Sequence, residues 1–394
     1  MRAQTRQGFS SSTRQHHGGR RRRAVSAAVA VAIGVMSLGA LAPPSVSAAV
    51  AAARPGAVQR SLNGLVRDDG MPAALASVQG GDGRTRTYTA GVGDLTTGSK
   101  VPRDGQVRIG SNTKAFTAVV VLQLVGEGKV GLDTTVDTYL PGLVRGEGID
   151  GRNITVRHLL QHTSGLPDYG AHVDDDEIRN RYVEPRDLLD IALRYKADAA
   201  PGKTWGYSNT NYVVAGLIVQ KVTGRPLAEE MDRRIIKRIG LRHTYFPTPG
   251  EMTIREPHPQ GYHRNPADGP LRDFTEMDPS WGWAAGQLIS TNSDLNRFFT
   301  ALLAGRLLPA AQLAQMRTTV PAGPSGLRYG LGLTSRPLSC GGVYWGHGGD
   351  IAGYETRGGV TDDGRAANVA VTSIPTDDSA AQHVKDAVDR ALCG

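Results

Sequence analysis

Cysteine is scarce in this chain, since its 394 residues include only Cys340 and Cys393. The ten histidines are scattered, and they lack the spacing typical of metal ligands. We therefore expect no metal site. A Gly-x-Ser-x-Gly turn is also missing, which disfavours a Ser-His-Asp hydrolase built on that turn.

Acidic residues and lysine are absent from the first 48 residues, although this segment contains seven arginines. An apolar run rich in alanine and valine follows at 24–42, and small residues precede position 49. This pattern predicts a secretory signal peptide at 1–48, a linker at 49–56 and one domain at 57–394, hence a secreted, extracellular protein without a stable membrane anchor. An uncleaved signal anchor is the alternative, because the apolar run is nearly long enough to span a bilayer.

Removal of this leader changes the charge of the protein. The whole chain has 45 basic and 37 acidic residues, a formal charge of +8. Without the seven arginines, 38 basic residues face 37 acidic residues, and the net charge is +1. The basic character belongs mostly to the leader, so we expect no nucleic-acid partner.

In an exported protein the simplest interpretation of Cys340 and Cys393 is a disulfide. It would tie the C-terminal helix to the strand that contains Cys340. Closing a loop of this size stabilises a fold by up to ~4 kcal/mol. Two free thiols are the alternative.

Strands are predicted at both ends of the domain, with helices between them. Ala73 to Gln79 and Thr85 to Val92 flank a glycine-rich turn and predict a hairpin. Helical periodicity dominates the middle of the chain, and a last helix is predicted at 377–392. The pattern indicates an α/β domain with an all-helical lobe inserted at roughly 112–280. The other predicted strands are Ala285 to Ser290, Tyr329 to Thr334, Gly342 to Trp345, Glu355 to Val360 and Ala367 to Thr372.

Ser111 lies where an extended run ends and an apolar helical run begins. Lys114 follows three residues later, on the same face of a helix, so its ammonium group can reach the serine hydroxyl. The Ser111 N–H lies at a helix N-terminus, where unpaired amides favour an anion. One turn of helix can thus supply a nucleophile, a proton acceptor and an oxyanion donor. The structural alternative is a capping serine beside a solvated lysine.

Two further motifs contain chemically useful residues. Tyr207 and Asn209 lie on a loop between two predicted helices, where a phenol can relay a proton and an amide can bind a substrate amide. His347 is followed by Gly348 and Gly349, which allow a substrate to approach the backbone closely. The structural alternative for Tyr207 and Asn209 is a capping turn, and for His347 it is a turn with an exposed histidine.

The three motifs together resemble those of the serine β-lactamase and penicillin-binding protein superfamily. Ser-x-x-Lys and Tyr-x-Asn each occur once in the chain, in the order found in that superfamily. The Tyr-x-Asn form is similar to the branch of class C β-lactamases and D-alanyl-D-alanine carboxypeptidases. The resemblance covers residues 57–393 and includes supporting stretches at 159–166, 201–212, 285–286 and 329–333.

This resemblance implies an antiparallel sheet flanked by helices, and a reaction through an acyl-enzyme on Ser111. Lys114 and Tyr207 would share proton transfer, and which of them is the base is left open. The backbone N–H groups of Ser111 and Asp350 would form the oxyanion hole. Asn209 would hold the substrate amide. No metal or organic cofactor would be needed.

The third motif departs from the pattern of the superfamily. His347 would occupy the position that is lysine in β-lactamases, but Gly348 stands where a hydroxyl residue usually helps to bind a substrate carboxylate. Asp350 adds an acid beside the same pocket, which would repel a carboxylate. Thr334 stands where close carboxypeptidase relatives have arginine. Arg336 and Arg357 are candidates to replace that arginine.

We therefore predict a secreted D-alanyl-D-alanine carboxypeptidase-type hydrolase that acts on peptidoglycan peptides. The alternative is an esterase, amidase or β-lactamase of the same fold, and the departures in the third motif favour the esterase or amidase. The predicted substrate is a small peptide, ester or β-lactam, bound by a monomer. A non-catalytic member is disfavoured because Ser111, Lys114 and Tyr207 are all kept.

Overall fold

The main element of the structure is an antiparallel sheet built from both ends of the chain. The computed structural model describes residues 56–323 and 325–394. Its strands are β1 (Ala73–Gln79), β2 (Thr85–Gly91), β3 (Val107–Arg108), β4 (Arg145–Gly146), β5 (Ile149–Asp150), β6 (Tyr262–His263), β7 (Arg272–Asp273), β8 (Ile289–Ser290), β9 (Val320–Pro321), β10 (Arg328–Tyr329), β11 (Thr334–Pro337), β12 (Val343–Gly346), β13 (Gly349–Ile351), β14 (Tyr354–Thr361) and β15 (Ala366–Val371).

The strand order of the large sheet is β2-β1-β15-β14-β12-β11-β10-β9, and β13 pairs with β14. The pairs β3-β8, β4-β5 and β6-β7 lie outside this sheet. β1 and β2 form the predicted hairpin, with Ala73 opposite Gly91 and Gln79 opposite Thr85. The first and last strands of the sequence meet directly, because β1 pairs with β15.

Helices cover both faces of the sheet and fill the middle of the chain. They are α1 (Ala57–Arg67), α2 (Thr113–Gly126), α3 (Val136–Tyr139), α4 (Val156–Leu160), α5 (Asp175–Ile178), α6 (Pro185–Ala192), α7 (Thr210–Thr223), α8 (Leu227–Met231), α9 (Lys237–Ile239), α10 (Trp283–Gly286), α11 (Asn292–Leu303), α12 (Ala310–Arg317) and α13 (Asp378–Cys393). Single 3-10 turns occupy Gly110–Asn112, Tyr169–His172 and Pro279–Trp281, and a π-helical turn at Asp232–Ile236 joins α8 to α9.

The side chains of β15 alternate between two apolar cores. Val369 and Val371 pack in the core formed with α1 and α13. Ala366 and Ala370 belong to the larger core, which also contains α2, α7 and α11. Because successive side chains of a strand point to opposite faces, burial of both sets means that helices cover the sheet on both sides. The α/β prediction is confirmed, but the inserted part at 112–280 is not all-helical, because the short strand pairs β4-β5 and β6-β7 lie within it.

α2 is the central helix of the part inserted between β2 and β9. Its residues from Thr113 to Leu124 are all buried. A helix that is apolar on every side belongs in a core rather than at a surface. Phe116 stacks on Phe298 of α11, with ring centroids 3.8 Å apart. The start of α2, which directly follows the turn that contains Ser111, is therefore held firmly against the rest of the molecule.

The prediction of one strand from Tyr329 to Thr334 is wrong in its middle. β10 ends at Tyr329 and β11 begins at Thr334, with a glycine-containing turn between them. Gly332 has a φ of +72°, and a Cβ there would lie 2.5 Å from the Cβ of Ala118 in α2. Only glycine allows this conformation together with so close an approach.

The predicted strand from Ala285 to Ser290 is also only partly correct. Residues Trp283–Gly286 form a helical turn, and only Ile289–Ser290 pair as a strand, with β3. Hydrophobic periodicity cannot distinguish a buried strand from a buried helical turn over so few residues. In this structure the apolar run packs between α2 and α7, where it forms a helical turn.

Cys340 and Cys393 form the predicted disulfide, with an S–S distance of 2.04 Å. Cys340 lies in the turn between β11 and β12, not in a strand, and Cys393 is the last residue of α13. The bond therefore ties the end of α13 to the turn between two interior strands of the large sheet.

The predicted leader, and all of the predicted linker except Gly56, lie outside the described residues. The described residues belong to one compact unit. Among them, no helix combines the length and the apolar character that a bilayer crossing requires.

Replacement of Cys340 and Cys393 by serine should lower the free energy of unfolding by about 4 kcal/mol, because the lost crosslink no longer restricts a long loop of the unfolded chain. Urea unfolding of the protein measures this difference. Reductant should destabilise the wild type to a similar extent and leave the double variant unchanged. Equal unfolding midpoints for oxidised wild type and variant would contradict the expectation.

Candidate active site

Ser111 lies in the 3-10 turn that connects β3 to α2. The preceding Gly110 has a φ of +47°, and a Cβ there would lie 2.9 Å from the backbone nitrogen of Asp350. A Cβ on Gly349 would lie 1.9 Å from the carbonyl oxygen of Ile109. The two glycines therefore let the serine turn and β13 touch through their backbones.

The Ser111 hydroxyl contacts both predicted proton-transfer groups. Lys114 Nζ lies 2.9 Å from Ser111 Oγ, and the Tyr207 hydroxyl lies 2.7 Å from the same oxygen. The first contact is the one expected for two residues three positions apart on a helix. The alternative of a solvated lysine is wrong, because Lys114 is fully buried.

Lys114 Nζ is surrounded by three oxygen atoms. Besides Ser111 Oγ, they are Asn209 Oδ1 at 2.7 Å and the carbonyl oxygen of Ala285 at 3.0 Å. Burial lowers the pKa of Lys114 to about 7, although Asp168 and Asp350 partly oppose this effect. An amine with such a pKa is available in its neutral form near pH 7.

Tyr207 lines the open side of the site. Its side chain is 37% exposed, and its ring centroid lies 4.8 Å from Lys114 Nζ. Desolvation by the surrounding protein nevertheless raises the pKa of the Tyr207 phenol above its ordinary value. The phenol is therefore protonated at neutral pH and can donate its hydrogen to Ser111 Oγ.

Asn209 makes its hydrogen bonds inside the protein. Its Oδ1 accepts from Lys114, and its Nδ2 donates to Asp168 Oδ2 at 3.1 Å. Asp168 Oδ1 also accepts from the Asn209 backbone N–H at 3.0 Å. Sequence analysis missed Asp168, which begins a stretch rich in acidic residues. No spacing in the chain signals its contact with a residue 41 positions away.

His347 lies in the pocket wall without contacting the Ser111 hydroxyl. Its Nε2 lies 2.8 Å from the Tyr329 hydroxyl, and its Nδ1 lies 2.5 Å from the carbonyl oxygen of Gly348. These contacts fit a neutral ring that donates from Nδ1 and accepts at Nε2. Burial lowers the pKa of His347 to about 3, with Lys114 adding to the effect. His347 is therefore uncharged at neutral pH, unlike the lysine of β-lactamases.

The backbone N–H of Asp350 faces the turn that holds Ser111. β13 and β14 form a hairpin with a two-residue turn, in which Ile351 is opposite Tyr354 and Asp350 is opposite Glu355. In such a hairpin the pair next to the turn is hydrogen bonded, and the following pair points its backbone groups outward. The Asp350 N–H therefore points away from β14, and its nitrogen lies close to Gly110 in the serine turn.

Arg357 occupies the space that a side chain at position 348 would need. A Cβ on Gly348 would lie 3.0 Å from Arg357 Nη1. Arg357 forms ion pairs with Asp350 at 2.7 Å and with Glu355 at 3.2 Å. Glu355 is buried, and this burial raises its pKa to about 7. The negative charge of Asp350 is thus neutralised by Arg357, which lies close to position 348 because that residue is glycine.

The site opens into a cavity of about 450 Å³. Lys385 of α13, which the sequence did not single out, contributes to its wall together with Arg336, one of the two predicted replacements for arginine at position 334. Thr334 itself hydrogen bonds to the carbonyl oxygen of Gly346 at 2.8 Å. The lining residues are Ser111, Trp205, Tyr207, Asn209, Leu327, Tyr329, Thr334, Arg336, Tyr344, His347, Gly348, Asp350, Arg357, Gly358 and Lys385.

No group of three or more side chains with metal-ligand chemistry occurs between residues 56 and 394, position 324 apart. The polar groups around Ser111 are instead engaged with one another through the hydrogen bonds given above.

Solved structures of amidohydrolases are similar to this one. A D-stereospecific amidohydrolase from Streptomyces sp. is 41% identical and superposes with a TM-score of 0.77 over 84% of this chain and 97% of its own. The D-amino acid amidase of Ochrobactrum anthropi is 27% identical, with a TM-score of 0.74 over 85% of this chain and 97% of its own.

Two proteins named as penicillin-binding proteins are similar in sequence. The putative penicillin-binding protein PbpX of Bacillus subtilis is 31% identical over 61% of this chain and 55% of its own length. Penicillin-binding protein 4 of Amycolatopsis lactamdurans is 29% identical over 66% of this chain and 69% of its own. The alignment thus spans little more than half of PbpX.

The sequence profile of the Beta-lactamase family matches residues 58–392, which is nearly all of the described chain. The Ser-Lys-Tyr cluster and the antiparallel sheet flanked by helices agree with this match. The chain therefore belongs to the Beta-lactamase family, within the superfamily of serine β-lactamases and penicillin-binding proteins, and its fold is that of a serine hydrolase.

Proposed function

We propose that this protein is a serine amidohydrolase that forms an acyl-enzyme on Ser111 and prefers the acyl groups of D-amino acids. The observation that carries the proposal is the contact of one hydroxyl, that of Ser111, with both Lys114 and Tyr207. The similar D-stereospecific amidohydrolase and D-amino acid amidase support the choice of substrate.

Lys114 is the base in this proposal. A neutral amine has two N–H bonds and one lone pair. The amide oxygen of Asn209 and the carbonyl oxygen of Ala285 can only accept, so they take the two N–H bonds. The lone pair is left for the hydroxyl proton of Ser111, and the Ser111 oxygen becomes the nucleophile.

Acylation then proceeds through a tetrahedral intermediate. Ser111 Oγ bonds to the substrate carbonyl carbon while its proton passes to Lys114, and the electron pair of the carbonyl bond moves to the oxygen. The N–H groups of Ser111 and Asp350 stabilise that oxyanion. When the C–N bond breaks, the leaving amine takes a proton from Lys114 by way of the Tyr207 hydroxyl. Water later hydrolyses the ester by the same groups.

The third motif disfavours recognition of a substrate carboxylate near the scissile bond. Gly348 offers no hydroxyl, and the nearby guanidinium of Arg357 is engaged by Asp350 and Glu355. An uncharged amide needs neither a hydroxyl nor a free cation at this place. These features support an amide as the group that is cleaved.

A D-alanyl-D-alanine carboxypeptidase is the second candidate, favoured by two cations farther along the pocket wall. Arg336 and Lys385 line the cavity. Neither makes an ion pair with another residue of the described chain. Burial lowers the pKa of Lys385, and the positive charge of Arg336 adds to this effect. Together they offer a place for a terminal carboxylate.

A panel of substrates tests the primary proposal. D-phenylalanine amide should be hydrolysed, whereas L-phenylalanine amide should be turned over at least about 100-fold more slowly, because a well-fitted acyl pocket discriminates by a few kcal/mol. Ammonia release measures both rates, and Ser111→Ala is the control that should abolish them. Equal rates on the two enantiomers would contradict D-specificity.

Arg336→Ala and Lys385→Ala test the second candidate. If the carboxypeptidase is correct, the wild type releases D-alanine from acetyl-D-Ala-D-Ala, and each variant raises KM for that peptide by about 10-fold or more through loss of a charged contact. The rate on D-phenylalanine amide should stay unchanged. A wild type that hydrolyses the amide but releases no D-alanine would rule out this candidate.

The role of Lys114 predicts a pH dependence of acylation. The neutral amine accepts the proton, so the rate should be low below the Lys114 pKa and should rise with pH through about 7. The initial burst of p-nitrophenol from p-nitrophenyl acetate reports acylation without requiring the natural substrate. A burst rate that stays constant from about pH 5.5 to about pH 8.5 would contradict a lysine base.

A further inference from the structure

The segment 162–168 lies against the loop that contains Tyr207 and is joined to it by hydrogen bonds. The carbonyl oxygen of His162 accepts from the Gly206 N–H at 2.9 Å, and its Nδ1 accepts from the Ser208 N–H at 3.2 Å. The carbonyl oxygen of Pro167 accepts from the hydroxyl of Thr210 at 2.7 Å. This segment resembles a stretch of the family pattern, but the acyl-transfer steps above assign it no part.

Asp168 is the last residue of this segment, and its contact with Asn209 bears most directly on the chemistry. Its two carboxylate oxygens accept from the backbone N–H and from the side-chain Nδ2 of Asn209. A carboxylate can only accept, so the NH₂ end of the Asn209 amide must face Asp168. The oxygen end must then face Lys114, as the 2.7 Å contact shows.

The orientation of this amide decides what the Lys114 lone pair can do. With Oδ1 towards Lys114, Asn209 consumes an N–H bond of the amine and leaves the lone pair for Ser111. With the amide turned over, Nδ2 would face the amine and donate into that lone pair. The base would then be occupied by a residue of the protein itself.

We propose that Asp168 is a positioning residue for acylation: it fixes the amide of Asn209 and, through it, the hydrogen-bonding direction of the Lys114 amine. It does not touch the reacting atoms. The proposal rests on acylation of Ser111 within the proposed function, but not on the identity of the substrate.

Asp168 also contributes charge to the site. Its carboxylate and that of Asp350 favour the ammonium form of Lys114, against burial. The other groups that face Lys114 carry no charge at neutral pH. These are the phenols of Tyr207 and Tyr212, 4.8 and 5.7 Å from ring centroid to Nζ, and the imidazoles of His162 and His347, whose pKa values burial lowers.

Asp168→Asn tests both effects. An amide at 168 favours the reversed orientation of the Asn209 side-chain amide, in which Nδ2 faces Lys114. The maximal burst rate with p-nitrophenyl acetate should therefore fall roughly 10- to 100-fold. Loss of the negative charge disfavours the ammonium form of Lys114. The midpoint of the pH–rate profile should therefore move to lower pH, by about 0.5 to 1 unit.

Asp168→Glu separates charge from geometry. It keeps the negative charge but displaces the carboxylate, so the burst rate should fall while the midpoint stays at the wild-type pH. Asp176→Asn is the matched control, because Asp176 lies in the same acidic stretch and contacts Arg272 and Asn265 instead. It should change neither rate nor midpoint.

A purely structural role would lower the rate in both Asp168 variants without moving the midpoint in Asp168→Asn, and that result would overturn the proposal. A full burst rate in Asp168→Glu would overturn it as well, and this test remains if Asp168→Asn does not fold. Failure of D-phenylalanine amide as a substrate, with the burst at Ser111 intact, would count against the proposed substrate and leave the role of Asp168 standing.

Discussion

The Lys114 amine lies beneath Ser111 with no exposure to solvent, and three oxygen atoms surround it. A lysine amine in water is protonated at neutral pH and cannot accept a proton. Burial removes much of this preference, because a charged group loses its hydration inside a protein. The rest of the site depends on this one constraint, since each surrounding element supplies a polar atom to the amine or keeps water from it.

Those elements come from distant parts of the chain. The 3-10 turn before α2 supplies the serine and α2 supplies the lysine. The turn Trp283–Gly286 supplies the carbonyl oxygen of Ala285, and the loop before α7 supplies Asn209. β13 closes the arrangement from the sheet side. The serine turn and β13 can meet only because Gly110 and Gly349 have no side chains. The catalytic geometry is therefore a property of the assembled fold and not of any one motif.

Sequence reasoning succeeded where the relevant spacing is local. The contact of Lys114 with Ser111 follows from helical geometry, and the β1-β2 hairpin follows from a glycine-rich turn between two strand patterns. It failed where tertiary packing decides the outcome. The turn around Gly332 is set by its approach to α2. Asp168 is not recognisable from sequence because its partner, Asn209, is 41 positions away.

The ion pair between Arg357 and Asp350 provides a second explanation for the absence of a side chain at position 348. Glycine at this position lacks the hydroxyl of the superfamily pattern, and in this protein the guanidinium group of Arg357 lies beside it. Position 348 therefore adjoins the ion pair that links positions 350 and 357. A hydroxyl residue introduced at 348 alone would require the Arg357 guanidinium to shift by a few tenths of an ångström, which would disturb its ion pair with Asp350. The ion pair of Arg357 thus couples the size of the side chain that position 348 can hold to the charge at position 350.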